Sequence, residues 1–381
     1  MNRIRLHNMA TALATFCQVD VLYPAFTSLK VQDGTHQWRE LPVRASILAA
    51  RARAVSAFVR GESMRVAYMN SPSIHRELRR LVLADDAYEV VIFKRKRMGQ
   101  FRGVVGGSRL TVLDLTDSVA LWEARIVASQ APFKSRLLAA ADLAGTVREE
   151  VRLLLEGHFD QVWVSSHVDV DFLTCLSGRS LPQLCVVPNV VPQDVFVDHS
   201  QSRVADRLVF FGDFRQPTNS EALTWFANDI WPIIRRQRPE AECWIVGYGS
   251  DRFTIKCSGL VPHGFASQLR DVVSPAWASV APLRSGAGMK NKVLQSLAMG
   301  VPVVATAIAL EGIGKGDKRV PGTWDGGFQA SSFAQAALAA LAVDPDERDR
   351  EGDAGKSYIR EHFSADALQR QLKLLVGGHG C

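Results

Sequence analysis

The sequence predicts an α/β chain in two halves, each built as a parallel sheet with helices packed on it. Three observations carry this reading. Apolar runs of strand length alternate with longer stretches whose apolar residues recur at helical spacing. The pattern lapses into polar text after Pro192 and starts afresh at Arg207. One stretch from Ala281 to Thr306, APLRSGAGMKNKVLQSLAMGVPVVAT, reads as a complete strand, loop, helix and strand.

That stretch organises the rest. Val280, Ala281 and Leu283 close a buried strand, SGAG turns the chain, and Met289, Val293, Leu294, Leu297 and Ala298 are spaced for a helix that Gly300 ends before VPVVAT begins. Gly286 and Gly288 let backbone approach a ligand closely, and the free N–H groups of the helix start attract an anion. Lys290 and Lys292 lie in the first turn, where the helix dipole favours acids, and a bound diphosphate would account for them. Gln295, one turn on, offers a carbonyl and an amide to a sugar hydroxyl. The alternative is a tight loop with two solvated lysines.

Composition narrows the class. The 381 residues are long enough for two or three domains, and 47% hydrophobic residues suit large cores. A net charge of +6 does not indicate a nucleic-acid binder. The six cysteines show neither CxxC nor metal spacing, fit reduced intracellular thiols, and are expected mostly as core filler. The N-terminus lacks a long apolar leader and no run of about 18 apolar residues occurs, so the expectation is a cytoplasmic protein without a membrane span.

In the first half a helix is expected over Ile4–Phe16, a strand over Val19–Tyr23, helices over Ala45–Arg60 and Ser73–Ala84, and a strand over Tyr88–Phe93. A helix before the first strand is an odd start: either a strand and its loop are missing, or the start of the chain was assigned late. Lys94, Arg95, Lys96 and Arg97 then stand at a strand's carboxyl end, where open sheets collect ligands. They suit a phosphate-bearing acceptor, an anionic membrane surface or a solvated turn. A strand over Leu110–Leu115 brings Asp114, Thr116, Asp117 and Ser118 to the same edge, with Asp117 or Ser118 also placed to cap the next helix. Helical text from Lys134 to Phe159, a strand over Gln161–Ser165, a surface or capping His167, and, over Leu184–Pro192, a strand ending in a proline-bracketed turn lead to a linker, QDVFVDHSQSRVADR.

The second half opens on the strand RLVFFGDF and a helix with Leu223, Phe226, Ile230 and Ile233 on one face. Strands follow at Cys243–Gly247, Leu260–Phe265 and Ser279–Leu283, and the text after Gly327 is helical.

The second half, through FFGDFRQPTNSEALTWFANDIWPIIRRQRPEAECWIVG and APLRSGAGMKNKVLQSLAMGVPVVAT, resembles the donor-binding domain of GT-B fold glycosyltransferases, in particular retaining family four, the group 1 type. NRIRLHNMATALATFCQVDVL, LDLTDS, VWVSSHVDVDFL and VVPNVV resemble parts of that family's first domain. The resemblance implies two Rossmann-like domains facing a cleft: residues 1–195 on the acceptor side, apparently without their first strand, and 206–360 on the nucleotide-sugar side. C-terminal helices follow, with 361–381 packing back toward the first domain.

It also implies roles. Gly212 and Arg215 would lie under the donor diphosphate, with Gly286, Ala287, Gly288, Met289 and Lys290 around its oxygens and Lys292 adding charge. Arg215, Lys290 and Lys292 are thus the catalytic candidates. Gln295 would meet the ribose, and His263, Gly264 and Phe265 the base. The family's paired glutamates correspond to Ala287 and Gln295, and its sugar-facing and neighbouring histidines to Thr116 and Lys94, so Lys94, Thr116 and Asp117 are the acceptor-side candidates. The expected activity is metal-independent sugar transfer from a nucleotide-diphosphate sugar, a substrate rather than a cofactor, to a glycan or lipid-linked acceptor in polysaccharide or glycoconjugate synthesis, at the cytoplasmic face of the membrane. The alternatives are a non-catalytic scaffold of the same fold with weak nucleotide binding and, more distantly, a sugar-nucleotide epimerase.

Overall fold

A computed structural model describes residues 2–25, 38–83, 88–105, 110–196, 203–252, 257–314 and 319–377. The chain divides into two compact units, one of residues 1–121, 140–188 and 368–381, the other of residues 122–139 and 189–367.

The first unit starts with α1 (Asn2–Ala14), β1 (Asp20–Ala25), β2 (Arg39–Arg44), α2 (Ile47–Val59), α3 (Met64–Met69) and α4 (Pro72–Leu83). It continues through β3 (Val90–Lys94), α5 (Lys96–Gly99), β4 (Leu110–Thr116), α6 (Val119–Ala128), α7 (Phe133–Glu156), β5 (Gln161–Val164), α8 (His167–Ser177) and β6 (Leu184–Val186). Helices α6 and α7 contain the points at which the chain enters and leaves the second unit. Strands β3 to β6 form a parallel sheet in sequence order, while β1 and β2 pair with each other in a separate parallel ribbon. Every residue of β4 is buried, which is why LTVLDLT reads as an unbroken apolar run with a lone acid inside it.

The second unit contains β7 (Val204–Phe211), α9 (Pro217–Trp225), α10 (Trp231–Gln237), β8 (Glu242–Val246), β9 (Leu260–Gly264), α11 (Leu269–Val273), β10 (Ala276–Ala281) and α12 (Asn291–Ala298). Then come β11 (Val303–Ala305), α13 (Ala307–Leu310), β12 (Thr323–Asp325), α14 (Ala330–Ala342), α15 (Pro345–His362) and α16 (Ala365–Val376), the last of which ends in the first unit. Its parallel sheet has the order β12-β11-β10-β7-β8-β9. Along β7, Leu208 and Phe210 enter one apolar cluster while Val209 and Phe211 enter another, the two-residue period of a strand covered on both faces. A π turn, Phe226–Ile230, joins α9 to α10, where Pro232 lacks the N–H that would continue the α-helical ladder. The chain enters the sheet at β7 and then builds outward on both sides, so the connections diverge between β7 and β10. The carboxyl ends of those two strands form the crevice that open α/β sheets use for ligands.

Several expectations are corrected. Strand β2 was not anticipated, because RELPVR carries charges and a proline; an edge position tolerates both. Helix α3, the short helices α11 and α13, and β12 were missed as well. Of the expected linker, residues 197–202 lie outside the described residues, and Val204–Arg207 already belong to β7. The strand expected from Leu184 ends at Val186, ahead of the proline-bracketed turn. Ala84 and Cys381 lie outside the described residues. Among the five described cysteines only Cys243 is buried, so they are not mainly core filler. The basic run is neither a solvated turn nor an exposed basic face, since none of its four side chains is exposed. His167 does lie on the surface, and it is Ser166 that caps α8, accepting from the Asp169 N–H.

Candidate functional site

The crevice is built from three turns. Gly212 follows β7, Gly247 follows β8, and the SGAG loop links β10 to α12. A Cβ on Gly212 would lie 3.2 Å from Lys292 Nζ and 3.2 Å from Asn219 Nδ2, so the absence of a side chain keeps room beside that ammonium. Lys292 Nζ donates to Asn219 Oδ1 at 2.7 Å and sits 4.9 Å from the centre of the Phe210 ring. Asn219 is oriented in turn, its Nδ2 donating to the Asp213 carbonyl at 2.9 Å. Burial, and then the charge of Lys290, press the Lys292 pKa down to about 7. Among the described residues no carboxylate is paired with Lys292. An arriving anion would restore its charge.

Lys290 is the N-cap residue of α12, and its ammonium donates to the Gly288 carbonyl. Gly286 and Gly288 have φ of 114° and 66°, the region that glycine alone enters freely. Gly286 lies against Lys290, with its missing Cβ 3.4 Å from Lys290 Cε.

The loop is held from behind by residues that sequence reasoning missed. Arg125 Nη1 donates to the Gly286 carbonyl at 2.7 Å, and the same guanidinium grips Glu311 through both nitrogens at 2.7 and 2.8 Å. Because a trans peptide sets C=O and N–H on opposite sides, drawing the Gly286 oxygen to Arg125 turns the Ala287 N–H the other way. Glu221, buried on α9, accepts from Ser285 Oγ at 2.7 Å and from the Gln130 N–H at 2.8 Å. Arg125 and Gln130 precede the loop by more than 150 positions, and no local pattern announces such a pairing.

At the ends of β8 and β9 the Tyr248 and Phe265 rings stack at 4.4 Å and 22°, both exposed, with the Arg215 guanidinium 4.5 Å from the centre of the Tyr248 ring. A flat planar ligand would fit this platform. Arg215 also pairs with Asp213 at 2.8 Å and is exposed, so it is not gathered with Lys292. His263 stacks on Trp244 instead of joining Phe265, because the register of β8 and β9 shifts between Ile245 and Val246. Gly264 N–H donates to Ser250 Oγ at 2.9 Å. Met289 is buried, its carbonyl accepting from Asn189 Nδ2 at 3.4 Å. Gln295 is half-buried on α12, and among the described residues no hydrogen bond occupies its side-chain amide.

The first unit brings Lys94 and Thr116 together. Lys94 Nζ donates to Thr116 Oγ1 at 2.7 Å and to the buried Asp114 carboxylate, which Arg5 also holds at 3.1 Å. Burial would raise the Asp114 carboxyl, but Arg5 and Lys94 outweigh it and hold it well below the usual carboxylate range. Thr116 and Arg95, neighbours at this edge, have φ of 72° and 70°, and for a β-branched threonine that is a strained geometry of the kind that gathers at functional sites. Asp117 is turned aside, its Oδ1 accepting from Ser165 Oγ at 2.7 Å. Ser118 caps α6, its Oγ accepting from the Leu121 N–H at 3.1 Å.

Comparison with known proteins agrees with this architecture. Residues 205–342 match the family model described as glycosyl transferases, group 1. A sucrose-phosphate synthase from Thermosynechococcus elongatus superimposes over 99% of this chain and 93% of its own, with a TM-score of 0.68 and 17% identity. HepE from Anabaena, in complex with UDP and glucose, covers 99% and 95%, with a TM-score of 0.65 and 10% identity. A TarM variant from S. aureus, in complex with Fondaparinux, alpha-GlcNAc-glycerol and UDP, covers 80% and 58%, with a TM-score of 0.57 and 10% identity. By sequence, an uncharacterized 44.6 kDa protein in the cps region of Klebsiella pneumoniae is 23% identical over 118 residues, which span 28% of this chain and 30% of that protein. Among the described residues no helix is long and apolar enough to cross a membrane. The chain has the GT-B fold of these structures, and residues 205–342 match the group 1 glycosyl transferase model.

Proposed function

We propose that the chain is a retaining glycosyltransferase that takes a sugar from a nucleotide-diphosphate donor, without a metal, and passes it to a glycan or lipid-linked acceptor in polysaccharide or glycoconjugate synthesis. The observation that carries this reading is the half-buried amine of Lys292, held by Asn219 beside the bare backbone of Gly212 and at the start of α12. Cleaving the sugar–phosphate bond loads negative charge onto the leaving diphosphate. A fixed cation and free N–H groups aimed at that charge lower the barrier more than they lower the ground state. The Tyr248–Phe265 platform receives the base, and the half-free amide of Gln295 meets the ribose. In the first unit the strained edge at Lys94 and Thr116 faces the acceptor or the transferred sugar. The leaving phosphate, rather than a protein carboxylate, assists the acceptor hydroxyl.

The test is a calorimetric and thermal-shift screen with UDP, GDP, ADP and dTDP and their sugar conjugates, in EDTA. UDP comes first because the HepE and TarM structures contain it. A saturable shift with one nucleotide, lost in Lys292→Ala, is expected. A folded protein that shifts with none would support the scaffold reading instead.

A pH dependence follows from the same lysine. With its pKa pressed to about 7, Lys292 is mostly neutral above that value in the empty site. An anion raises the pKa again, so binding takes up a proton. Affinity for the diphosphate is therefore expected to fall as pH rises above 7, by up to about tenfold per unit for this one group. Calorimetry in buffers of different ionisation enthalpy checks it; no proton uptake at pH 8 would contradict the assignment.

A further inference from the structure

The SGAG loop contains one peptide that its own sequence does not orient. Gly286 sits at a φ of 114° and carries no side chain, so the plane of the Gly286–Ala287 peptide can turn either way about its flanking bonds. The two orientations offer an arriving anion opposite things. One presents the Ala287 N–H, a donor, and the other presents the Gly286 carbonyl, whose oxygen repels it.

The choice is made from outside the loop. Arg125, on α6, donates to the Gly286 carbonyl through Nη1 at 2.7 Å, and Glu311, just past α13, holds both terminal nitrogens of that guanidinium at 2.7 and 2.8 Å. The two side chains are 24% and 15% exposed, so water and salt screen the pair little. The loop is anchored one residue earlier as well, where Ser285 Oγ donates to the buried Glu221 at 2.7 Å. That bond fixes a side chain and leaves the next peptide free to turn. Among the described residues no hydrogen bond occupies the Ala287 N–H.

We propose that Arg125 is a positioning residue for the diphosphate-binding loop: braced by Glu311, it locks the Gly286 carbonyl away from the ligand and so holds the Ala287 N–H as a donor to a nucleoside diphosphate. The inference rests on the donor-site reading given above. Arg125 acts on the ligand through the peptide that it turns. Its positive charge would also attract an anion directly, and that simpler effect has to be separated from positioning. Glu311 separates them. Replacing Glu311 with glutamine deletes a negative charge beside the loop, so plain electrostatics requires tighter anion binding, whereas a loosened brace requires weaker binding.

The experiment measures the affinity of the full chain for inorganic pyrophosphate and for UDP by calorimetry, in the wild type and in Arg125→Met, Arg125→Lys and Glu311→Gln, with the Tm of each. Arg125→Met is expected to weaken both ligands by roughly tenfold or more, the loss of one oriented donor to a charged group, and Glu311→Gln by about threefold to tenfold. Arg125→Lys keeps one donor for the carbonyl and should recover part of the loss. Glu311→Gln matches the native side chain in size and decides the matter if Arg125→Met does not fold. Tighter or unchanged binding in Glu311→Gln would overturn the proposal, as would a wild-type chain that binds no pyrophosphate. Pyrophosphate binding that depends on Arg125 and Glu311, in a chain that binds none of the nucleotides screened above, would uphold it and remove the glycosyltransferase reading instead.

Discussion

Replacing Lys292 with alanine is expected to lower kcat/KM for sugar transfer by roughly 10²-fold to 10³-fold, about 3–4 kcal/mol, the loss typical of one preorganised donor to a developing negative charge. The amine is in place before any ligand arrives, bonded to Asn219 Oδ1 and packed on Phe210, and the diphosphate that charges it finds it already positioned. Lys290→Ala should cost less, because that ammonium is already committed to the Gly288 carbonyl. Lys292→Arg keeps the charge but needs more space beside Gly212 and is expected to fall between the two. Single-turnover measurements with a sugar nucleotide separate binding from transfer, and an unchanged rate in Lys292→Ala would remove the residue from the site.

Gly247→Ala should have the largest effect on stability. A Cβ there would lie 2.0 Å from the Gly212 carbonyl oxygen and 3.0 Å from its carbon, at a φ of 129°. Neither atom belongs to a side chain that can swing away. Gly212 N–H donates to the Val246 carbonyl at 2.9 Å and Gly247 N–H to the Gly264 carbonyl at 2.7 Å, so the clash falls where three strand ends are stitched together. A loss of about 3 kcal/mol is expected from overpacking and backbone strain combined. Gly178→Ala is the control: its φ of 68° closes α8, but nothing lies within 4 Å of the added carbon, so only the conformational cost of about 1 kcal/mol applies. Equal melting temperatures for the two variants would mean that the backbones do not approach as closely as described.

What was legible in the sequence is what local chemistry decides. The small-residue turn, the helix-start lysines and the flanking apolar runs fix a strand, loop and helix whatever surrounds them, and β10, α12 and β11 stand where that pattern put them. The partners of the lysines were less visible. Asn219 lies in the first turn of α9, where nothing local marks it as a ligand to an amine, and only the fold brings it to Lys292. Strand β12 has three residues and owes its existence to β11 beside it. The basic run misled because charge runs are usually solvated. Here Asp114 inside β4 draws Lys94 inward, and Lys96 is buried with its ammonium donating to Thr146 Oγ1 at 2.9 Å. His263 was read with Phe265 as one string, but the shift in strand register separates them.

The Arg125 grip on the Gly286 carbonyl bears on how this molecule can be recombined. Residues 122–139 are interposed between two segments of the first unit, yet they fold with the second and carry Arg125 to its SGAG loop and Gln130 to Glu221. A chimera joined at a single point near residue 190 would exchange that segment along with the first unit, leaving Glu311 and Glu221 facing a foreign helix. Grafting a new first unit onto this second unit therefore requires either retaining the native 122–139 or choosing a parent that already presents an arginine there.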